Sequence, residues 1–263
     1  MGQRAQMMNL PDGWYVVFES KELSQKKPRG DTRFGLPVVA YRDQTGKAVV
    51  ISDLCPHRRA KLSLGRIVEG QIECPFHGLR FDHEGKCRWV PEVQKEAPNI
   101  KCRHFVTFEK HGWVWIWWGL ASPVGEPTWY EDLPATHHVS SARYTWPVHF
   151  TRAVENQLDY AHLPYVHRTT IGRFSKPTQK PHFRLEEKRV KWWMKDGDPF
   201  YIEFVFPNYW QNRLSSAYSI TLAFVPVDDQ ATTLYLRTHR KYAKWPPFSW
   251  VADFFDRIMN KFI

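Results

Sequence analysis

Short hydrophobic runs alternate with polar residues through residues 13–120, and this period of two predicts an all-β region. The predicted strands cover residues 14–17, 37–41, 48–51, 71–73, 105–108 and 113–118. Gly and Pro accumulate after the last of these runs, which predicts a linker over residues 121–134. The pattern therefore predicts an N-terminal all-β domain at residues 13–120.

Residues 135–263 mix helical and strand patterns. Residues 153–162 predict a helix, and residues 183–195, 200–206, 217–225 and 231–242 predict long antiparallel strands. After Ser249, apolar residues recur at 251, 254, 255, 258, 259 and 262, which predicts a closing helix with Phe254 and Phe255 on its buried side. These elements predict an α+β domain with a curved antiparallel sheet and room for a pocket.

Charge and hydropathy exclude two kinds of partner. The 37 basic and 27 acidic residues give a net charge of +10, but the basic residues are spread through both halves, so no nucleic-acid-binding arm is predicted. The longest apolar stretch, 113–118, is too short to cross a bilayer. The N-terminus lacks the apolar core of a signal peptide, so we expect a cytoplasmic protein with no membrane span.

Two cysteine–histidine motifs carry the most specific chemistry. Cys55-Pro56-His57 and Cys74-Pro75-Phe76-His77 each provide one thiolate and one imidazole. A Rieske [2Fe–2S] centre takes two Cys on one iron and two His on the other. A Cys2His2 zinc site needs the same residues but usually pairs like ligands on one loop, so the order favours the iron–sulfur cluster and leaves zinc as the alternative.

The surroundings of these motifs add two expectations. Arg58, Arg59, Lys61 and Arg66 crowd the first motif, either as an ordinary solvated loop or as a surface that attracts an acidic redox partner. The remaining two cysteines, at 87 and 102, are predicted to be buried free thiols.

A second group of candidate ligands lies at residues 155–167. On the predicted helix, Asn156, Asp159 and His162 follow at steps of three and share one face. Pro164 should end or distort that helix, so that His167 turns back toward His162. Two imidazoles aimed at one point are two-thirds of a 2-His-1-carboxylate iron site. Asp159 is expected to accept the other N–H of His162.

With both motifs present, the chain resembles the catalytic subunit of a Rieske non-haem iron oxygenase over its whole length, and its second motif is similar to the monooxygenase and demethylase branch. The resemblance implies an all-β Rieske domain followed by a helix-grip (START-like) catalytic domain at 135–263. It implies a [2Fe–2S] cluster on Cys55, His57, Cys74 and His77. It also implies a mononuclear Fe(II) on His162 and His167.

The same resemblance implies partners and roles. Electrons would come from NAD(P)H through a reductase or a ferredoxin, and O2 would react with an apolar or aromatic substrate, which is hydroxylated, demethylated or desaturated. The protomers would form a homotrimer in which Asp159 connects one subunit's cluster to the next subunit's iron, with Asn156 beside it.

One family feature has no match in the sequence, namely the third iron ligand, a carboxylate on the C-terminal helix. We expect it beyond Ile263, with Asp253 and Asp256 as fallback candidates that are predicted to face solvent. A chain without this ligand would instead be a Rieske electron-transfer or binding protein, and this alternative stays open.

Overall fold

The computed structural model describes residues 8–130, 132–133, 136–170, 172–173, 176, 178, 180–197 and 199–259. The chain divides into two compact units at the Pro127–Thr128 bond, and the short segment Pro226–Asp229 belongs to the first unit. Among the described helices, none combines the length and apolarity that a bilayer crossing needs.

The first unit is built from β-strands in three antiparallel sheets. The sheets have the orders β1-β12-β11, β10-β4-β3-β2 and β5-β6-β7-β8-β9. Two 3-10 turns, Ser20–Glu22 and Leu62–Leu64, interrupt the strands. The strands are β1 (Gly13–Glu19), β2 (Arg29–Arg33), β3 (Leu36–Arg42), β4 (Ala48–Ser52), β5 (Arg66–Val68), β6 (Gln71–Glu73), β7 (Arg80–Phe81), β8 (Lys86–Val90), β9 (Lys95–Lys101), β10 (His104–Phe105), β11 (Thr107–Lys110) and β12 (Trp113–Trp118).

Strands β3 and β4 are buried on both faces, since successive side chains of a strand point to opposite sides. Val38 and Val50 pack into one core with residues of β1 and β12. Val39 and Ile51 pack into a second core that contains Cys55 and Cys74. The candidate cluster loops are therefore anchored on the same strands that hold the unit together.

The second unit contains one seven-stranded sheet in the order β13-β19-β18-β17-β16-β15-β14. Neighbouring strands from β14 to β18 pair antiparallel, as do β13 and β19. The elements are β13 (His138–Trp146), α1 (Phe150–Leu158), α2 (Leu163–Val166), β14 (His182–Glu186), β15 (Arg189–Trp193), β16 (Tyr201–Val205), β17 (Tyr209–Ser215), β18 (Tyr218–Pro226), β19 (Thr232–Arg240) and α3 (Phe248–Met259).

The two faces of this sheet differ in polarity. Helix α1 packs on the apolar face, where Ala153 joins a core with Phe204, Trp210 and Leu222. The opposite face is polar and is partly covered by Tyr130, which packs with Val205 and Tyr209. A β-rich first unit followed by a sheet with helices confirms the predicted α+β class.

The predicted elements of the second unit differ from the observed ones. The helix expected at 153–162 begins at Phe150 and ends at Leu158. The strand expected at 183–195 is a hairpin of β14 and β15. The sequence pattern missed β13 and β17. Pro134, placed in the predicted linker, lies outside the described residues, as does the predicted helical tail from 260 to 263.

The prediction for the buried side of α3 is wrong. Phe254 and Phe255 are 61% and 59% exposed, whereas Asp256 is only 7% exposed. The reason lies on β19, where Arg240 is fully buried and its guanidinium donates to Asp253 at 2.6 Å and also to Asp256. A buried cation has to be paired, so the acidic side of the helix faces the sheet.

Candidate iron centres

The two cluster loops share one backbone design. In each, the cysteine N–H donates to the carbonyl five residues ahead, over 2.9 Å for Cys55 and 2.8 Å for Cys74. The N–H four residues ahead donates back to the cysteine carbonyl, from Arg59 over 2.8 Å and from Gly78 over 3.0 Å. Arg59 and Gly78 both have positive φ, at 58° and 71°. The loops therefore present equivalent frames, and only the histidine position differs between them.

The four candidate ligands form two like pairs, one of thiols and one of imidazoles. Cys55 and Cys74 are 1% and 2% exposed and belong to the same core. His57 is exposed and His77 is half-buried, and their ring centroids lie 4.6 Å apart. The thiols thus point into the protein and the imidazoles lie at its surface.

The paired arrangement fits a two-iron cluster better than a single ion. One tetrahedral zinc would draw all four donors to one point. Yet within the described ranges no three His, Cys, Asp or Glu side chains converge as ligands of one ion. A Rieske cluster takes its two thiolates on one iron and its two imidazoles on the other, as the pairs are arranged here. The two like pairs therefore match the ligand order of a Rieske cluster.

Burial raises the pKa of the Cys55 thiol to about 11, and the neighbouring Cys74 thiol adds to the increase. The backbone N–H groups of His57 and Arg58 act in the opposite direction, since they hydrogen-bond to the thiol. Without metal the Cys55 thiol is protonated at neutral pH, so binding of a metal by this residue must release its proton. The N–H donors are already aimed at the sulfur that would become a ligand.

Other residues near the loops are placed as follows. Cys87 and Cys102 are buried free thiols in the core that holds the cluster cysteines. Arg58 and Arg59 are exposed, but Arg66 is bound to Glu73 over 2.7 Å. The basic surface is therefore smaller than the sequence pattern predicts, because one of its four cations is neutralised.

The second candidate centre surrounds the short helix α2. Helix α1 ends at Leu158, so Asp159 and His162 lie beyond it and do not share its face with Asn156 as predicted. Pro164 is at the beginning of α2 and so starts a helix, in keeping with its fixed φ, rather than ending one. His162 and His167 are the two caps of this four-residue helix.

The capping positions bring the two imidazoles together. The ring centroids of His162 and His167 lie 5.4 Å apart. Asp159 accepts from the N–H of Ala161 over 2.7 Å, and its other oxygen is 3.2 Å from His162 Nδ1. A proton on Nδ1 shared with Asp159 leaves Nε2 of His162 as a lone-pair donor. Together the two rings can supply two nitrogen ligands to one iron.

Among the described residues, neither fallback candidate adds a third ligand to this pair. Asp253 is bound to His138 and Arg240, and Asp256 to Tyr218, Thr238 and Arg240, so both fallback candidates are engaged elsewhere. They also do not face solvent as predicted. The carboxylate expected beyond Ile263 stays a prediction. Asn156 is exposed, and its side chain accepts from Gln157 over 3.3 Å.

Sequence reasoning missed two residues that lie near the histidine pair. Gly172 donates its N–H to the His167 carbonyl over 3.0 Å, and a Cβ there would lie 1.9 Å from the Leu163 carbonyl oxygen. The ring of Trp192 is 5.8 Å from that of Tyr160. Only the glycine left a sequence signal, as an isolated Gly shortly after the motif.

Comparison with known proteins identifies the first unit. Residues 13–114 match the model of the Rieske [2Fe-2S] domain. These residues form a Rieske domain. The chain is also homologous to Rieske oxygenase alpha subunits, which confirms the predicted resemblance. It is 34% identical over 166 residues to the oxygenase component of dicamba O-demethylase from Stenotrophomonas maltophilia, covering 62% of this chain and 49% of the relative.

Further relatives lie in the same group. Aminopyrrolnitrin oxygenase PrnD of Pseudomonas fluorescens is 35% identical over 182 residues, covering 63% of this chain and 48% of the relative. The chain spans about half the length of the curated relatives it matches. The fold is similar to that of dicamba monooxygenase bound to dicamba, with a TM-score of 0.79 at 23% identity over 92% of this chain and 80% of that structure.

Proposed function

We propose that this Rieske-domain chain belongs to an enzyme, a Rieske-type oxygenase that uses O2 and reductase-supplied electrons to hydroxylate, demethylate or desaturate a small molecule. The observation that carries the proposal is the pair formed by His162 and His167, with Asp159 at His162 Nδ1. An electron-transfer protein needs only the cluster. A second histidine pair, oriented by a carboxylate, gives the electrons a destination.

Each group of donors would hold one metal centre. Cys55, His57, Cys74 and His77 would hold the [2Fe–2S] cluster, and His162 and His167 would hold a mononuclear Fe(II). Bound there, the cluster would supply single electrons and the ferrous iron a site for O2 activation. Asp159 keeps the proton of His162 on Nδ1, which fixes the tautomer and the ring orientation.

We further propose that Asp159 serves the electron path between subunits of a homotrimer. Its carboxylate is 45% exposed and has capacity for further hydrogen bonds beside those to Ala161 and His162. The imidazoles of the cluster loops also lie at the surface. A hydrogen bond between Asp159 of one subunit and a cluster imidazole of the next would join the two centres.

Electrons would originate from NAD(P)H and arrive through a reductase or a ferredoxin. The exposed residues Arg58 and Arg59 lie beside His57, and Phe76 is 62% exposed with its ring 4.2 Å from that of His77. Basic groups around an apolar contact suit an acidic protein partner. A cytoplasmic location stays a prediction.

The substrate we propose is an apolar or aromatic small molecule. The sheet face beneath α1 is formed by large apolar side chains, among them Phe204, Trp210 and Phe224. Such a surface favours an aromatic or hydrophobic ligand over a charged one.

Iron and sulfide quantitation tests the proposal. Three irons and two sulfides per chain are expected, and His162→Ala should remove one iron while the cluster's absorption spectrum is unchanged. Gln157→Ala, on the neighbouring helix, is the matched control and should retain three irons. Two irons in the wild-type chain would favour the alternative of an electron-transfer or binding protein, because the cluster alone accounts for two irons. Zinc without sulfide would exclude both redox functions.

Single-turnover oxidation tests the reaction itself. Pre-reduced protein mixed with O2 and an aromatic methyl ether or amine panel should form at least one hydroxylated or demethylated product. No product across the panel, with the third iron fully loaded, would contradict the oxygenase proposal.

A further inference from the structure

Two indole N–H groups in the second unit are buried without a hydrogen-bond partner among the described residues. They belong to Trp192 on β15 and Trp210 on β17. Trp210 is only 2% exposed. Leaving a donor desolvated and unsatisfied is unfavourable, so these two groups call for an acceptor that the described side chains do not supply.

Both indoles belong to the layer between the sheet and α1. Trp210 is part of the apolar core to which Ala153 of α1 contributes, and Trp192 packs against the same core. Trp192 also contacts Tyr160, two residues before His162. The unsatisfied donors are thus in the layer that the proposed substrate would enter, next to the segment that carries the histidine pair.

The strand register adds a third polar group to this face. Trp192 is opposite Ile202 on β16, and Ile202 is opposite Asn212 on β17, so the three side chains form one cross-strand row. Asn212 is half-buried and is opposite Ile220 on its other side. An amide set between two isoleucines is a polar position in an otherwise apolar row.

The adjacent residue, Trp193, provides a contrast, because its indole N–H has a hydrogen-bond partner. Trp193 points to the opposite face from Trp192, because successive strand residues alternate, and its Nε1 donates to Asp196 over 2.8 Å. In the part of the chain that the structure describes, Trp192 and Trp210 have no such carboxylate partner.

We propose that the indole N–H groups of Trp192 and Trp210 select, within the proposed oxygenase, an aromatic substrate that carries a hydrogen-bond acceptor such as a carbonyl oxygen. This inference rests on the proposed function, since it assigns the substrate class of that same site. The apolar side chains bind the ring of the substrate, and an indole N–H donates to its acceptor atom. A purely hydrocarbon ligand leaves both donors unsatisfied and binds more weakly.

A matched pair of probes tests the inference without any turnover. 4-Fluoroacetophenone and 4-fluoro-α-methylstyrene have nearly the same shape, but only the ketone has an acceptor. Their dissociation constants are measured by 19F NMR with the metal-loaded chain under anaerobic conditions. The wild-type chain should bind the ketone at least about fivefold more tightly than the alkene, as one added hydrogen bond provides.

Three variants locate the effect. Trp192→Phe or Trp210→Phe keeps an aromatic ring but removes the N–H, and at least one of them should weaken ketone binding about 5- to 10-fold with less than a twofold change for the alkene. Trp193→Phe makes the same exchange on the opposite face and should change neither constant. Melting temperature and cluster absorbance show that each variant is folded.

Equal binding of the two probes by the wild-type chain, or binding of neither, overturns the inference. So does a ketone preference that persists in the Trp192→Phe/Trp210→Phe double variant. Because neither O2 nor a reductase is present, a failure of oxygenase activity leaves this result unaffected. Conversely, absent discrimination would leave the oxygenase proposal standing.

Discussion

Replacing Asp256 by alanine should strongly destabilise the second unit. The carboxylate is 7% exposed and accepts from Tyr218 Oη and Thr238 Oγ1, both over 2.9 Å, and from the guanidinium of Arg240. Alanine would leave Arg240, which is fully buried, with Asp253 as its remaining carboxylate. Breaking a buried pair in this way costs about 3–5 kcal/mol. Since domains are stable by only about 5–15 kcal/mol, this loss should be plain in urea denaturation.

Comparing variants on the acidic and apolar sides of α3 shows which side contacts the sheet. Asp253→Ala should lower the free energy of unfolding less, because the side chain of Asp253 is 25% exposed. Phe254→Ser, at a residue 61% exposed, should change it by less than about 1 kcal/mol. If Asp256→Ala proved nearly neutral while Phe254→Ser cost several kcal/mol, the helix would be packed by its apolar stripe, as the sequence pattern first predicted, and the ion-pair argument would be refuted.

Three further predictions concern the candidate centres and pH. Gly78→Ala should lower cluster iron and sulfide, because φ is +71° there and a Cβ would lie 2.9 Å from Pro91 Cγ. Gly172→Ala should remove the mononuclear iron but keep the cluster, because its Cβ would displace Leu163 at the start of α2; metal analysis measures both. Burial lowers the pKa of His239 to about 3, so below about pH 6.5 this histidine binds a proton in the unfolded chain but not in the folded one. The free energy of unfolding should therefore decrease as the pH falls below about 6.5, by up to about 1.4 kcal/mol per pH unit.

Each of these three has its own control. Arg59→Gly makes the opposite exchange at the equivalent position of the first loop, where φ is 58°, and should leave the cluster intact. Thr169→Ala, exposed in the segment before Gly172, should keep all three irons; loss of the cluster in Gly172→Ala would instead indicate general unfolding. His239→Gln should flatten the acid limb of the stability curve, and an unchanged limb would show that His239 is not its source.

The cluster loops were the part of the site that sequence could predict best, and the reason is physical. Cys55 and His57, like Cys74 and His77, lie within a single loop, so their spacing nearly determines their geometry. The loop frame is closed by hydrogen bonds that span only four or five residues. Local chemistry of this kind is visible in a sequence without any knowledge of the rest of the fold.

The second centre and α3 depended on contacts that a sequence pattern does not contain. The pattern placed a continuous helix through His162, but it ends at Leu158, and the histidines cap a separate helix instead. The apolar stripe of α3 is real, yet the burial of Arg240 on β19 determines which side of the helix packs. Strand β13 was missed because most of its residues are half-buried or exposed, and its one buried residue is Ser140 rather than an apolar one.

The placement of the thiols and imidazoles in the Rieske domain also indicates which surface electrons would use to enter and leave the cluster. The thiols of Cys55 and Cys74 are enclosed by the second core of the first unit, whereas His57 is exposed and His77 half-buried. Electron exchange with any partner protein is therefore shortest through the imidazole side, because the thiolate side is separated from solvent by packed side chains. An electron donor and an electron acceptor would both use this surface, so they must bind it in turn or share it. If the proposed homotrimer forms and the proposed donor protein is acidic, the donor and a second subunit would therefore compete for the surface around His57 and His77.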